Sequence, residues 1–465
     1  MSNRTLIRGG TILSMDPDIG DLARGDLLVE DGAIAAVAPN LSATGADTDA
    51  EVIDADGFIV IPGFVDSHRH TWEAAIRGCA PDATLDDYFV EVLDTFAPLY
   101  RPDDVYAANL AGALECLNAG ITTLVDWSHI NNTPEHPDAA IRGLEEAGIR
   151  AQYAYGSANT SLADYWFEST IAVPGDDVRR VRDTYFSGYG GLLTMGLATR
   201  GPGFCTDDVV RSEWRLAREL DIPLTVHVAM GRLAGRWAMV SQLHRLGLLG
   251  PDTTYVHCCY LGDEEWRLVA DSGGTVSIAP QVEVQMGHGH PPTMQAIAHG
   301  LRPSLSIDVV TTVPGDMFTQ MRAAFGADRE RALSKAWQAD TDAPADLLTA
   351  RELLRIATAN GAHVAGLEDR TGSLTPGKRA DVVLLDARAM NMVPVIDPTT
   401  AVTLCADVSN VDTVLVDGVV RKRGGRLLAD TARARGLVEA ARDRLIRAAA
   451  STTASSGAAS GGAGA

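Results

Sequence analysis

Residues 61–70 read IPGFVDSHRH, an apolar run that ends in two histidines spaced two apart. Successive side chains of an extended chain point to opposite faces, so His68 and His70 project to the same side of one strand end. Two imidazoles on one face can hold one metal ion. Outward from this stretch, residues 61 to about 310 repeat one texture: short runs of Val, Ile and Leu separated by amphipathic stretches of helix length. That alternation predicts successive βα units. Eight strands are expected, at 59–65, 121–126, 149–155, 192–198, 223–228, 254–258, 275–279 and 303–307. Eight units predict a closed TIM-like (β/α)8 barrel of the α/β class, with an open doubly wound sheet as the alternative.

The flanks differ in texture. TLIRGGTILSM (5–15), DLLVEDGAIAAV (26–37) and VIDADGFIVIPG (52–63) are short apolar runs broken by Gly and Asp turns, the pattern of a small antiparallel sheet. Strand texture returns in TGSLTPGKRADVVLLD (371–386) and VDTVLVDGVVRKRGG (411–425). These strands are expected to complete the first sheet, so that the barrel (61–370) is inserted in a small β-sandwich domain built from 1–60 and 371–426. Residues 427–450 are expected to form a terminal helix with a solvated, arginine-bearing face. Residues 451–465, without aromatic, charged or large aliphatic side chains, are expected to be disordered.

Composition narrows the function. Hydrophobic residues make up 46% of the chain and charged residues 22%, a balance suited to folding. With 39 Lys and Arg against 61 Asp and Glu, the formal charge is −22, which repels phosphate backbones and anionic lipid. The basic run Arg421–Lys422–Arg423 is too short to mark a binding patch. A small-molecule substrate is expected, with neither nucleic acid nor membrane as partner. Cys79, Cys116, Cys205, Cys258, Cys259 and Cys405 show no disulfide framework spacing, which points to free thiols. No signal-like N-terminus and no bilayer-length apolar span are present, and a cytoplasmic location is expected.

Further strand ends carry titratable groups: Asp126, His227 in IPLTVHV (222–228), His257 in TTYVHCC (253–259) and Asp308 in RPSLSID (302–308). A single such histidine is as often a satisfied core residue as a functional one. Five groups, His68, His70, His227, His257 and Asp308, meeting at one barrel mouth point to chemistry, because catalytic residues of these barrels gather at the C-terminal strand ends.

The order His-x-His, His, His, Asp, together with IPGFVDSH (61–68), GSLTPGKRADVVLLD (372–386), NMVPVIDP (391–398) and SNVDTVLVDGVVRKRGGRL (409–427), resembles the amidohydrolase superfamily. Within it, the chain resembles the branch of cytosine and guanine-type deaminases and triazine or chlorotriazine hydrolases. The resemblance runs from residue 4 to about 425. It implies that His68, His70, His227 and Asp308 bind a metal with a position open to water. It further implies that Asp308 takes a proton from that water and that His257 polarises the nucleophile or a substrate oxygen. Imidazole and carboxylate donors suit zinc, with ferrous iron as the alternative. Binuclear relatives use a modified lysine at the end of strand four. LLTMGLATRG (192–201) holds no lysine, so one metal per chain is expected. Association of such relatives implies a homo-oligomer.

The pattern breaks at HVAMG (227–231), where the deaminase branch carries a proton-shuttling glutamate and this chain carries Met230. A thioether is no useful proton carrier, and general acid–base help is worth roughly 10²–10⁴ in rate. Three readings stand: Asp308 and His257 relay the proton alone, another residue replaces the acid, or the reaction needs no ring protonation. Replacements are sought in SIAPQVEVQMGHGHPP (277–292), which offers Gln281, Glu283, Gln285, His288 and His290, although loop His and Gln are often only solvated. Trp72 and Trp127 offer flat walls to a planar ring, or core packing. With Met230, Glu283, Gln285 and His288 they are the expected substrate contacts. Glu73 is read as a contact to a substrate amine or a cap, and Arg200 as an anion anchor or a turn residue. The function expected is that of a metal-dependent hydrolase cleaving a C–N bond of a planar nitrogen heterocycle, a deaminase or cyclic amidohydrolase. The alternatives are a dehalogenase, decarboxylase or other lytic enzyme on the same scaffold, and a catalytically silent binding relative.

Overall fold

The computed structural model describes residues 4–41, 45, 48–158, 167–186 and 191–460, the side chains of 453–460 excepted. Five strands precede the barrel: β1 (Arg4–Leu13), β2 (Asp21–Glu30), β3 (Ala33–Ala38), β4 (Glu51–Asp54) and β5 (Phe58–Pro62). The barrel strands follow as β6 (Phe64–Arg69), β7 (Ile121–Ser128), β8 (Arg150–Tyr155), β9 (Leu193–Thr199), β10 (Leu224–Val228), β11 (Thr253–His257), β12 (Thr275–Ile278) and β13 (Ser304–Leu305). Four more strands, β14 (Val382–Asp386), β15 (Val411–Val416), β16 (Val419–Arg423) and β17 (Arg426–Leu427), return to the first sheet.

β6 to β13 pair in sequence order, all parallel. β6, β7, β8 and β10 are buried along their whole length, as parallel strands covered on both faces must be, and their polar residues, among them Asp66, His68, Asp126, Arg150 and His227, are buried with them. The two edges meet through the Asp308 N–H, which donates to the His68 carbonyl (3.0 Å), and the His70 N–H, which donates to the Asp308 carbonyl (2.9 Å). The barrel therefore closes at the residues expected to bind the metal. Hydroxyls line the same seam deeper down: Ser304 donates to Ser67 (2.5 Å), whose Oγ lies 2.7 Å from that of Ser277.

The strand expected at 59–65 is in fact two. β5 belongs to the small sheet and β6 to the barrel, and the switch is made at Gly63. Its N–H donates to the Asp381 carbonyl (2.9 Å), and a Cβ there would lie 2.0 Å from Thr122 Oγ1, so only glycine fits. The other expected barrel strands lie within two residues of their predicted ends.

The small sheet runs β17-β16-β15-β14-β5-β1-β2-β3, with β4 also on β1. It is mixed where an antiparallel sheet is expected, because after β3 the chain returns to β1 in the same direction. Leu27, Val29 and Ile34 from one end share an apolar cluster with Val382, Leu384 and Leu415 from the other. The sheet thus curls until its ends face each other, as the layers of a sandwich do. Arg150 of β8 joins the two bodies: its guanidinium donates to both Asp381 oxygens (2.8 and 3.0 Å) and to Asp417 (3.1 Å).

The terminal helix, Thr431–Ser460, packs on Pro102–Asn118, and Leu445 is fully buried. Arg433, Arg435, Arg442 and Arg447 lie on its exposed face as expected, whereas Arg444 is half-buried and pairs with Asp104. Residues 451–460, expected in a disordered tail, continue the helix. Residues 461–465 lie outside the described residues. Among those described, no helix is long and apolar enough to cross a membrane.

Candidate metal centre and active site

At the closed end of the barrel His68 Nε2 lies 3.1 Å from Asp308 Oδ1 and 3.1 Å from His227 Nε2. His70 Nε2 lies 3.3 Å from the same Asp308 oxygen. One ligand atom from each of these four buried residues falls within 4.8 Å of the other three. The His70 Nδ1 sits 3.0 Å from the Trp127 carbonyl, which can only accept, so the proton is on Nδ1 and the Nε2 lone pair faces the centre. Three imidazole nitrogens and one carboxylate oxygen converging in this way fit a zinc-type ion.

The electrostatics agree with a ligand set. Burial pushes the His68 imidazole down to about 4, helped by His70 and His257 and opposed by Asp308. Burial and the neighbouring imidazoles hold His227 well below its ordinary value. Burial alone would raise the Asp308 carboxyl, but its bonds to His68 and His70 hold it well below the usual carboxylate range. For His70, burial is outweighed by the same carboxylate and the value is raised.

His257 stands on the other side of Asp308, with Nε2 3.7 Å from Oδ2. Its Nδ1 faces Glu283 Oε1 at 3.2 Å, and that oxygen also accepts from the Ala279 N–H (2.8 Å). Glu283 is therefore a buried support that sets the His257 ring, rather than the substrate contact expected of it. His257 and Asp308 both hold left-handed φ angles, 73° and 69°, on which non-glycine residues spend about 1–3 kcal/mol. The fold accepts that strain where the two functional side chains turn into the mouth.

The pocket above these groups has an empty volume of about 390 Å³. His70, His227, His257 and Asp308 form its floor; Met230, His288, His129, Tyr88, Phe89 and Met286 are among its walls. Of the expected substrate contacts, Met230 and His288 line it and the rest do not. Trp72 is fully buried edge-on to Tyr100 and His129, and Trp127 packs edge-on to His68, His70 and His227; both brace the histidines from behind. Gln285 spends its amide on the Pro81 and Thr312 carbonyls, and His290 turns to Pro291 and Ala327. Arg200 reaches the Ile171 carbonyl. Asp126 accepts from the Thr71 N–H and Asn109, tying β7 to its neighbours. Glu73 accepts from Tyr88 (2.5 Å) and Thr311 (3.1 Å), and burial pushes its carboxyl up to about 7.

Sequence reasoning missed His129, one residue past β7, whose ring centroid is 4.5 Å from that of His70. The rule applied to the other strand ends would have found it. It also missed Leu85, Tyr88, Phe89 and Leu93, which come from short helical turns after β6 with no clear periodicity.

A family model described as "Amidohydrolase family" matches residues 59–421. The chain is 30% identical over 434 residues to a 5-methylthioadenosine/S-adenosylhomocysteine deaminase of Desulforudis audaxviator, covering 91% of this chain and 95% of that one. It is 28% identical over 433 residues to a 5'-deoxyadenosine deaminase of Methanosarcina mazei, covering 91% and 94%. An atrazine chlorohydrolase variant from Arthrobacter aurescens TC1, solved with zinc and atraton, matches with a TM-score of 0.83 at 25% identity, covering 94% and 100%. With a family model that spans it from β5 to β16, the chain belongs to the amidohydrolase family.

Proposed function

We propose that the protein is a metal-dependent hydrolase that releases ammonia from an amino-substituted, purine-type ring. The observation that carries this reading is the convergence of His68, His70, His227 and Asp308 beside His257 on one pocket floor. The two deaminases it is similar to act, by their names, on adenosine derivatives. The apolar walls from Leu85, Phe89, Leu93, Met286 and Val309 suit a flat ring.

His68, His70, His227 and Asp308 would hold one divalent ion per chain, zinc by the character of the donors. Bound there, such an ion lowers the pKa of water from 15.7 to about 7. Asp308, with one oxygen toward His68 and His70 and the other toward His257, is placed to accept a proton. His257, held through Nδ1 by Glu283, directs Nε2 at the reacting centre and stabilises charge developing on the ring. The chain's six cysteines are all free, which fits a reducing cytoplasm.

Purified protein is expected to hold one tightly bound zinc. It should release ammonia from adenosine-type compounds, lose turnover on chelation and regain it with zinc. Turnover that persists in metal-free protein rejects the reading. Met230 favours a second reading, in which the leaving group departs as an anion that needs no proton, such as chloride. Halide release without ammonia release across a panel of substituted heterocycles would select it.

A further inference from the structure

A second group of potential ligands shares Asp308 with the first. One ligand atom each from His257, His288 and Asp308 lies within 4.8 Å of the others, all three residues being buried. Asp308 divides its oxygens between the groups: Oδ1 faces His68 and His70, whereas Oδ2 lies 3.7 Å from His257 Nε2. His257 is set as zinc-binding histidines usually are, with Nδ1 against a carboxylate and Nε2 turned to the pocket.

His288 supplies the independent observation. It is 3% exposed and lines the pocket, and among the described residues neither of its ring nitrogens has a hydrogen-bond partner. Buried imidazoles ordinarily satisfy at least one nitrogen, because a polar atom taken out of water without a partner is costly. The ring is not there by slack in the loop, since the His288 carbonyl accepts from the Gly231 N–H at 2.6 Å and Gly289 N–H donates to the Glu283 carbonyl at 3.1 Å. Its ring centroid is 4.7 Å from that of His257.

We infer that His257 Nε2, His288 and Asp308 Oδ2 form a second, weaker site for a zinc-type cation, with the Asp308 carboxylate bridging it to the first. The inference rests on the reading of the first centre. His257 serves the reaction at one cation per chain and becomes a ligand when the second is taken up. With three protein ligands, one fewer than the first site, the second is the weaker of the two.

The test is stoichiometry. Full-length protein stripped with a chelator is equilibrated against zinc buffers of rising free concentration, and bound zinc per chain is counted. Two binding steps are expected for the wild type, and His288→Ala should keep the first and lose the second. Glu283→Gln, which leaves every ligand in place, should weaken the second step roughly 10–100-fold and spare the first. A single step in the wild type overturns the inference, as does a second step unchanged by His288→Ala. No tight step at all would overturn both this and the reading of the first centre.

Discussion

Met230 forms part of the pocket wall just beyond β10, and its thioether can neither give nor take a proton, so the group leaving the ring departs without help from that position. If protonation limits ammonia release, Met230→Glu should raise it by at least tenfold, within the roughly 10²–10⁴ such help is worth; steady-state ammonia assays on adenosine-type compounds decide. A second buried carboxyl shows what an ill-paired charge does. Burial pushes Glu213 up to about 7 against Arg200, and its Oε2 has no partner among the described residues. The folded state therefore binds the proton more tightly than the unfolded chain, and stability falls as pH rises from about 4.5 to about 7. Glu213→Gln should remove up to about 3 kcal/mol of that fall, at 1.36 kcal/mol per unit, read from urea midpoints at pH 5 and pH 8. The strand-end residues of the floor were legible because alternation and barrel geometry leave them few places to point. Trp72 and Trp127 misled because a large ring near a ligand histidine can brace it as well as meet a substrate. Only the packing on the far side decides which.

Among the elements, the seam between β6 and β13 holds the ligands in place. Ser67, beside His68, accepts from Ser304, meets Ser277 and donates to the Leu305 carbonyl (3.0 Å), all in the buried interior. Ser67→Ala would take the hydroxyl donor from the Leu305 carbonyl and leave Ser304 only its long bond to the Val276 carbonyl (3.4 Å), while Ser277 keeps Ser306 (3.0 Å), at a cost of about 1–3 kcal/mol. A lower thermal midpoint together with weaker zinc retention is expected. Strand positions were readable because each strand, covered on both faces, opens or runs on Val, Ile, Leu or Ala, with its polar residues at intervals and at the end that meets the site. The break at Gly63 was not, because Phe64 and Val65 at the start of β6 continue the apolar run of β5 and no periodicity distinguishes the two sheets. Short turns such as Leu85–Asp94, which wall the pocket, lie below the length at which helical spacing becomes visible.

On the scale of the molecule, Arg150 ties the barrel to the small sheet through Asp381 and Asp417, at 1% exposure of its side chain. Arg150→Met leaves Asp381 buried without its cation, which typically costs about 3–5 kcal/mol. The two bodies should then melt in separate transitions by calorimetry, where one transition is expected of the wild type. The insertion was legible because strand texture recurs on both sides of the barrel, whereas the mixed direction of β1, β4 and β5 depends on a crossover that no local pattern encodes. The crossing at Gly63 also sets an order of events on the ribosome. β5 bonds to β14, whose first residue, Val382, is partnered with Pro62. At a synthesis rate of about 5–20 residues per second, the edge of β5 waits roughly 16–65 s for that partner. Until β14 emerges, the nascent chain presents an open apolar strand to any chaperone or neighbouring polypeptide within reach.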